Sequence, residues 1–314
     1  MDDYMTPDPE MDADQFEPHT AGLPDDHRPY TDKYFMRSRE IMEEEGIDPE
    51  VSVKVFARGE GEIPKQGLEE AYGIFEEYAE GFQDNDGDLY LTTRERFETK
   101  DPLMVIEGSA RDVAELETMY LGVLSHHLTE ANADGAPDPA AFQENVEAAV
   151  EQYDRAGVDG LYFGARHYHW SKDMELAGAA LDGGLVQTST DVGSSNIGDE
   201  GVGTTPHFLT LALTGAEDTP YTEDDGTRAT AELFDRHMDE AIPRTTLIDT
   251  FNQEIDDALD IAEYFDENSE DDDWTATFRI DTCGENVAQG GAPFDPDADP
   301  YETGTGVRTS GVKA

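Results

Sequence analysis

Apolar residues recur at three- and four-residue spacing through RDVAELETMYLGVLSHHLTEA, residues 111–131, and predict an amphipathic helix. The same spacing predicts helices in YTDKYFMRSREIMEEEG, with Thr31 as N-cap and Gly46 as the stop, and in GLEEAYGIFEEYAEG. Strict alternation in VSVKVFAR, 51–58, predicts a strand. LYLTTRERFETKDPLMVIEG, 89–108, reads as one or two strands broken at Pro102. Residues 1–28 have no such pattern and read as a loose acidic arm, so an N-terminal mixed α/β domain is expected over 29–130.

From about residue 131 the rhythm changes. DPAAFQENVEAAVEQYDRAG is a helix, with Asp138 as cap and Pro139 in the first turn. VDGLYFGARH, LVQTSTDVG, RTTLIDT and WTATFRIDT read as strands. The helices SKDMELAGAALDGG, TPHFLTLALTG, ATAELFDRHMDEAI and NQEIDDALDIAEYFDE fall between them. Such alternation predicts a parallel barrel or a doubly wound sheet over 131–314. Only four barrel strands are found, where eight βα units over about 250 residues are typical. GVRTSGVKA reads as a loop that stops before a helix forms, so the chain is expected to be truncated or a fragment.

Charge alters the picture next. The chain has 314 residues with 74 Asp and Glu against 20 Lys and Arg, a net charge of −54. The acids are spread along the chain, and their repulsion is screened at molar salt, where the Debye length is about 3 Å. A cytoplasmic protein of an extreme halophile is the expected source; binding of basic partners or of calcium is the competing explanation. Nucleic acid is excluded as a partner, because its phosphates need a basic face. With Cys283 alone, neither an internal disulfide nor a cysteine zinc cluster can form. No apolar run approaches the ~18 residues of a membrane span, and the acidic N-terminus is unlike a secretory signal.

Against this background, cations at strand ends carry information. Arg166, Ser189, Asp191, Asp249, Arg279 and Asp281 all fall at predicted strand C-termini, the rim that bears chemistry in a barrel. Arg166 and Arg279 can each offer a planar fork of donors to a phosphate. The aspartates suit ribose hydroxyls or Mg²⁺-bound water, and Phe163 can stack on a planar ring. The competing reading is a set of Arg–Asp ion pairs at the barrel mouth.

Six segments in order, YTDKYFMRSREI, LMVIEGSARDVAELETMYLGVLS, YFGARHYHW, GTTPHFLTLAL, TLIDTFNQEIDDALDIA and FRIDTCGE, resemble archaeal nicotinate phosphoribosyltransferases over about residues 30–312. That family is shared with nicotinamide and quinolinate phosphoribosyltransferases. The resemblance implies an N-terminal, partly sandwich-like α/β domain joined to an irregular TIM-like barrel. It implies transfer from 5-phosphoribosyl 1-diphosphate to nicotinate, with Mg²⁺, with ATP as co-substrate, and in a homodimer with a shared active site.

Position by position, the resemblance implies that Asp32 and Tyr34 form a D-x-Y motif whose tyrosine stacks on the pyridine across a dimer interface. Phe163 would cover the opposite ring face and Arg166 would clamp phosphate. Gly203 and His207 match G-x-x-x-H, whose histidine is phosphorylated by ATP; Phe208 follows where many relatives carry Ser. Asp249 would hold Mg²⁺ or ribose, Arg279 the nicotinate carboxylate and phosphate, and Asp281 ribose or metal. The QTSTD strand end, Thr188 to Asp191 with Ser189 as the binding candidate, matches a ring-recognition position loosely. Gly284 would let the backbone turn close to the ligand, and Cys283 would be a small packing residue.

Alternatives stay open. Nicotinamide or quinolinate can replace nicotinate within the family, although two carboxylates on quinolinate call for more cations than this arginine pair. A truncated, non-catalytic paralogue is a second. An aldolase barrel is a third; it wants a Schiff-base lysine at a strand end, and none of the six lysines sits at one.

Overall fold

The computed structural model describes residues 10–79, 87–133, 138–217, 219–268 and 275–314. Trp274, expected to open the last strand, lies outside these residues, as do the first nine of the expected arm. In chain order the regular elements are α1 (Lys33–Glu44), β1 (Glu50–Phe56), β2 (Gly61–Glu62), α2 (Lys65–Tyr78), β3 (Asp88–Leu91), β4 (Arg96–Phe97), β5 (Pro102–Ser109) and α3 (Ala110–Asn132). They continue with α4 (Pro139–Ala156), β6 (Leu161–Tyr162), α5 (Asp173–Asp182), β7 (Gln187–Thr188), α6 (Asp191–Ser194), α7 (His207–Gly215) and α8 (Gly226–His237). Last come β8 (Thr245–Leu247), α9 (Glu254–Asn268), β9 (Thr277–Arg279) and α10 (Thr309–Lys313). The fold is mixed α/β. Contacts divide it into one compact unit running to Met36 and over Glu50–Val202, and a second made of Arg37–Pro49 and Gly203–Ala314. This partition differs from the boundary expected near 130, because α4 to α6 pack with the elements before them.

The first unit is built on a three-stranded antiparallel sheet, β1-β5-β3. Val53 faces Ile106 and Val55 faces Met104, so the alternation that predicted β1 also sets its register. Pro102 opens β5 instead of breaking it; at the first position of a strand its missing N–H costs no ladder bond. Leu68, Ile74 and Phe75 of α2 are fully buried, as are Val113, Met119 and Tyr120 of α3, and Phe75 stacks on Tyr120 at 5.3 Å between centroids. Each such side chain stabilises the fold by about 1.5–3 kcal/mol. Ser109 caps α3 through Asp112 N–H.

The described part of the arm is attached to this unit. Met11 is buried and bridges Thr92, and Asp12 N–H donates to the Leu91 carbonyl at 2.8 Å. His19 lies so close to α2 that a Cβ on Gly73 would stand 2.1 Å from its carbonyl oxygen. Thr31 does not cap α1 as expected. Its hydroxyl donates to the Glu115 carbonyl at 2.9 Å, and the helix begins after Asp32.

Later in the first unit, β6 pairs in parallel with β7. Val146, Tyr162, Leu176, Ala177 and Ala180 form the core between α4, α5 and this pair. Asp138 caps α4 as the sequence predicts, and Gly157 closes it at φ 68°. Both strands are far shorter than expected. After β6, His167 N–H donates to the Gly164 carbonyl and the chain turns. After β7, Thr190 accepts Gly193 N–H and starts α6.

In the second unit β8 and β9 pair in parallel, Leu247 opposite Arg279, over a core of Ala231, Ile248, Ile261 and Phe265. Asn252 adopts φ 60°, a left-handed conformation asparagine tolerates, where the chain passes from β8 to α9. The segment after β9 is tied to the start of α9: Glu254 accepts the Thr282 hydroxyl and the Gln289 N–H, while the Gln289 side chain accepts Ile255 and Asp256 N–H. Gly284 has no positive φ. Residues 309–313 do form a short helix where none was expected.

Candidate active-site residues in two clusters

Within the first unit, a β-bridge between Asp32 and Thr190 brings the start of α1 against the end of β7. Lys33 N–H donates to the Ser189 carbonyl at 2.8 Å, and Asp32 N–H donates to the Thr118 hydroxyl at 2.9 Å. These bonds hold the Asp32 carboxylate fully buried beside Arg166. Arg166 Nε lies 3.2 Å from Asp32 Oδ2, an ion-pair distance without hydrogen-bond alignment, and Nη1 donates to Glu117 Oε1 at 3.0 Å. Burial works against the charge on Arg166, but Tyr34, Asp32 and Glu117 outweigh it and raise its pKa.

Tyr34 donates its hydroxyl to Asp32 at 3.2 Å. Its ring is nearly parallel to that of Phe163 of the same chain, 12° apart with centroids at 6.3 Å, and the Arg166 guanidinium stands 5.7 Å from the Tyr34 centroid. Phe163 also lines an apolar cleft of about 350 Å³ with Phe142, Tyr153, Tyr162 and Leu185. So Asp32, Tyr34, Phe163 and Arg166 are brought together. Ser189 is close in the chain, but its side chain is wholly buried and its Oγ has no partner. Asp191 binds Lys33 Nζ through both oxygens, at 3.0 and 2.9 Å.

Within the second unit, Asp249 lies two residues past the end of β8 and Arg279 ends β9, the neighbouring strand. Asp249 Oδ2 accepts the backbone N–H of Asp281 at 2.7 Å. Its Oδ1 lies 3.2 Å from His207 Nε2, again without hydrogen-bond alignment. Arg279 Nη2 donates to Asp281 Oδ2 at 2.5 Å and Nη1 to the Thr204 hydroxyl at 3.3 Å. His207 opens α7 with its side chain 41% exposed, so the imidazole is open to a reactant. The Gly203 carbonyl accepts Arg37 Nη1 at 3.2 Å. Cys283, expected to pack, is exposed; the buried residue there is Thr282.

Each expected arginine is therefore paired with an acid of its own unit. The metal expectation meets a similar limit. Asp249 is buried and its oxygens face Asp281 and His207, whereas Asp281 is half exposed. Among the described residues no three His, Cys, Asp or Glu side chains are disposed to hold a metal ion. Asp281, half exposed, offers one carboxylate to a hydrated divalent ion, which keeps several waters and needs only one or two carboxylates.

Sequence reasoning missed Glu117, Lys33 and Thr204, and covered Thr190 only within the loosely matched segment Thr188 to Asp191. Only Glu117 left a trace: it lies on the apolar face of α3, between buried Val113 and Tyr120, and an acid there calls for a partner. Among the described residues no helix is long and apolar enough to cross a membrane.

Residues 32–128 match the family model of the quinolinate phosphoribosyl transferase N-terminal domain. No curated protein matches the chain. A putative nicotinate phosphoribosyltransferase from Saccharomyces cerevisiae is similar in structure, with a TM-score of 0.54 and 16% identity over 79% of this chain and 68% of that one. Nicotinate phosphoribosyltransferase from Porphyromonas gingivalis gives a TM-score of 0.53 at 17% identity over 73% of this chain and 64% of that one. Nicotinate-nucleotide pyrophosphorylase from Pyrococcus furiosus matches at 22% identity with a TM-score of 0.32, covering 79% of this chain and 58% of that one. The chain thus spans about three fifths to two thirds of the length of these structures. It has the fold of the two nicotinate phosphoribosyltransferases, and residues 32–128 carry the pattern of the quinolinate phosphoribosyl transferase N-terminal domain.

Proposed function

We propose that the protein is a nicotinate phosphoribosyltransferase. The observation that carries the reading is the second-unit cluster: Arg279 and Asp281 at one strand end, linked through Asp249 to an exposed His207. In the reaction the nicotinate nitrogen attacks C1 of 5-phosphoribosyl 1-diphosphate, the C1–oxygen bond breaks, and diphosphate leaves. Arg279 stabilises the charge that gathers on the leaving oxygens. Asp281 faces the ribose hydroxyls, or would hold the waters of a Mg²⁺ bound to the substrate, which would supply positive charge at the leaving diphosphate. In the first unit Arg166 takes an anionic group of the substrate, and Tyr34 and Phe163 supply aromatic faces for the pyridine. The working form is a homodimer.

ATP enters through His207. The contact with Asp249 favours a proton on Nε2, which leaves the Nδ1 lone pair as the nucleophile. Attack on the γ-phosphorus forms a phosphohistidine and releases ADP; water then returns the imidazole and phosphate. The test follows diphosphate release in molar KCl with and without ATP. ATP should stimulate the native protein, and His207→Ala should lose the stimulation while transfer persists. Stimulation that survives His207→Ala rules out this route.

Nicotinamide and quinolinate remain the competing substrates. Nicotinate is favoured because Arg166 and Arg279 are each already shared with a carboxylate, which leaves little positive charge on this pair for a second carboxylate on the ring.

A further inference from the structure

Several polar side chains around the Asp32–Thr190 bridge in the first unit are buried and incompletely partnered. Asp173 opens α5 and is 1% exposed. Its Oδ2 accepts the Thr190 hydroxyl at 2.5 Å, while Oδ1 has no hydrogen-bond partner. Asp32 Oδ1, Ser189 Oγ and the Tyr162 hydroxyl are buried in the same condition.

Thr190 is the joint of this group. Its hydroxyl donates to Asp173 and accepts Gly193 N–H at 3.1 Å. A Cβ on Gly193 would stand 2.9 Å from that oxygen, so the glycine makes the approach possible. The backbone of Thr190 bridges Asp32, and Asp32 faces Arg166. Asp173 therefore reaches Arg166 through Thr190 and Asp32.

The charges decide the consequence. Arg166 lies between Asp32 and Glu117, so this trio already carries one excess negative charge. An ionised Asp173 adds a second, in a region with little water to screen it. An anion arriving at Arg166 then meets a less favourable field. Burial pushes the Asp173 carboxyl up to about 6; the Thr190 hydrogen bond opposes this and the charge of Asp32 adds to it. The groups facing it are Asp32 just before α1, Tyr162 from β6 and Thr190 at the start of α6. Behind Asp32 stand Arg166 and His167 from the turn after β6, and Glu117 from α3.

We propose that Asp173 is a positioning residue whose protonation gates anion binding at Arg166: neutral, it admits the anion; ionised, it opposes it. The inference rests on the reading that Arg166 takes an anionic substrate group.

The test is binding of radiolabelled sulfate, whose charge is constant over the range, to the full chain in molar KCl. Affinity should fall about tenfold between pH near 5 and pH near 7.5, the effect of one unit of pKa coupling. Asp173→Asn should bind throughout with that limb gone. Thr190→Val removes a donor that favours the carboxylate, and should move the limb to higher pH. His167→Gln, which removes the other titrating neighbour of Arg166, should keep the limb. Arg166→Gln should abolish binding at every pH. A native limb in Asp173→Asn overturns the gate. If that variant melts below the assay temperature, an unmoved limb in Thr190→Val overturns it instead. Sulfate binding that survives Arg166→Gln overturns the anion role of Arg166 itself, a separable result.

Discussion

His207 Nε2 stands 3.2 Å from Asp249 Oδ1, and the other oxygen of the same carboxylate holds the backbone N–H of Asp281. One buried acid thus sets both the imidazole and the segment that follows Arg279. Asp249→Asn keeps the shape and removes the charge that favours one tautomer. It should slow labelling of His207 by γ-³²P-ATP by roughly a hundredfold, in the range typical of lost acid–base or orienting partners. Acid-labile, base-stable phosphate on the protein is the readout. Native labelling in Asp249→Asn would separate the aspartate from the histidine.

Arg166 compensates a fully buried Asp32. Arg166→Ala leaves that carboxylate without its cation and should destabilise the protein by about 3 kcal/mol, as when one partner of a buried pair is removed. Denaturant melts of Arg166→Ala, Asp32→Asn and the double variant check this. The double variant should be more stable than the sum of the single losses predicts; additive losses would deny the coupling.

Glu70 Oε2 lies 3.0 Å from His127 Nε2 and 3.2 Å from His169 Nε2, and its Oε1 accepts the Gln66 amide at 2.9 Å. Burial alone would raise its pKa, but the two histidines and Gln66 bind the carboxylate and lower it overall. A depressed acid stabilises the fold above its unfolded pKa, 4.5, and loses that contribution as pH falls below it. Thermal stability should therefore drop from pH near 6 to pH near 3.5 more steeply in the native protein than in Glu70→Gln. Equal slopes would contradict this.

With a net charge of −54, the fold should gain stability with salt. Screening lengths shrink from about 10 Å at 0.1 M to about 3 Å at 1 M. Melting temperature should rise steadily with KCl, while an equally concentrated neutral osmolyte should do less. A flat response to KCl would exclude screening as the reason for the acid excess.

The helices were the legible part of the fold, because their periodicity and caps are local. Asp138 and Pro139, adjacent in the chain, mark the start of α4. The strands after residue 131 were overread. VDGLYFGARH gave β6 only two residues, because the Gly164 carbonyl is taken by His167 N–H, and nothing in the apolar pattern records that turn. Both expected groups of site residues were partly legible: Arg279 and Asp281 are two positions apart, and Asp32 and Tyr34 likewise. Their partners Glu117, Thr190 and Thr204 come from distant segments through tertiary bridges, which spacing along the chain does not show. The competing expectation of Arg–Asp pairs also holds in the structure, within each unit.

The most direct measurement supplies labelled nicotinate, nicotinamide and quinolinate together, with 5-phosphoribosyl 1-diphosphate and Mg²⁺ in molar KCl, and identifies the nucleotide formed. Nicotinate mononucleotide should be the product, and Arg279→Gln should abolish it. Product from quinolinate alone, or no nucleotide from any of the three, would contradict the account.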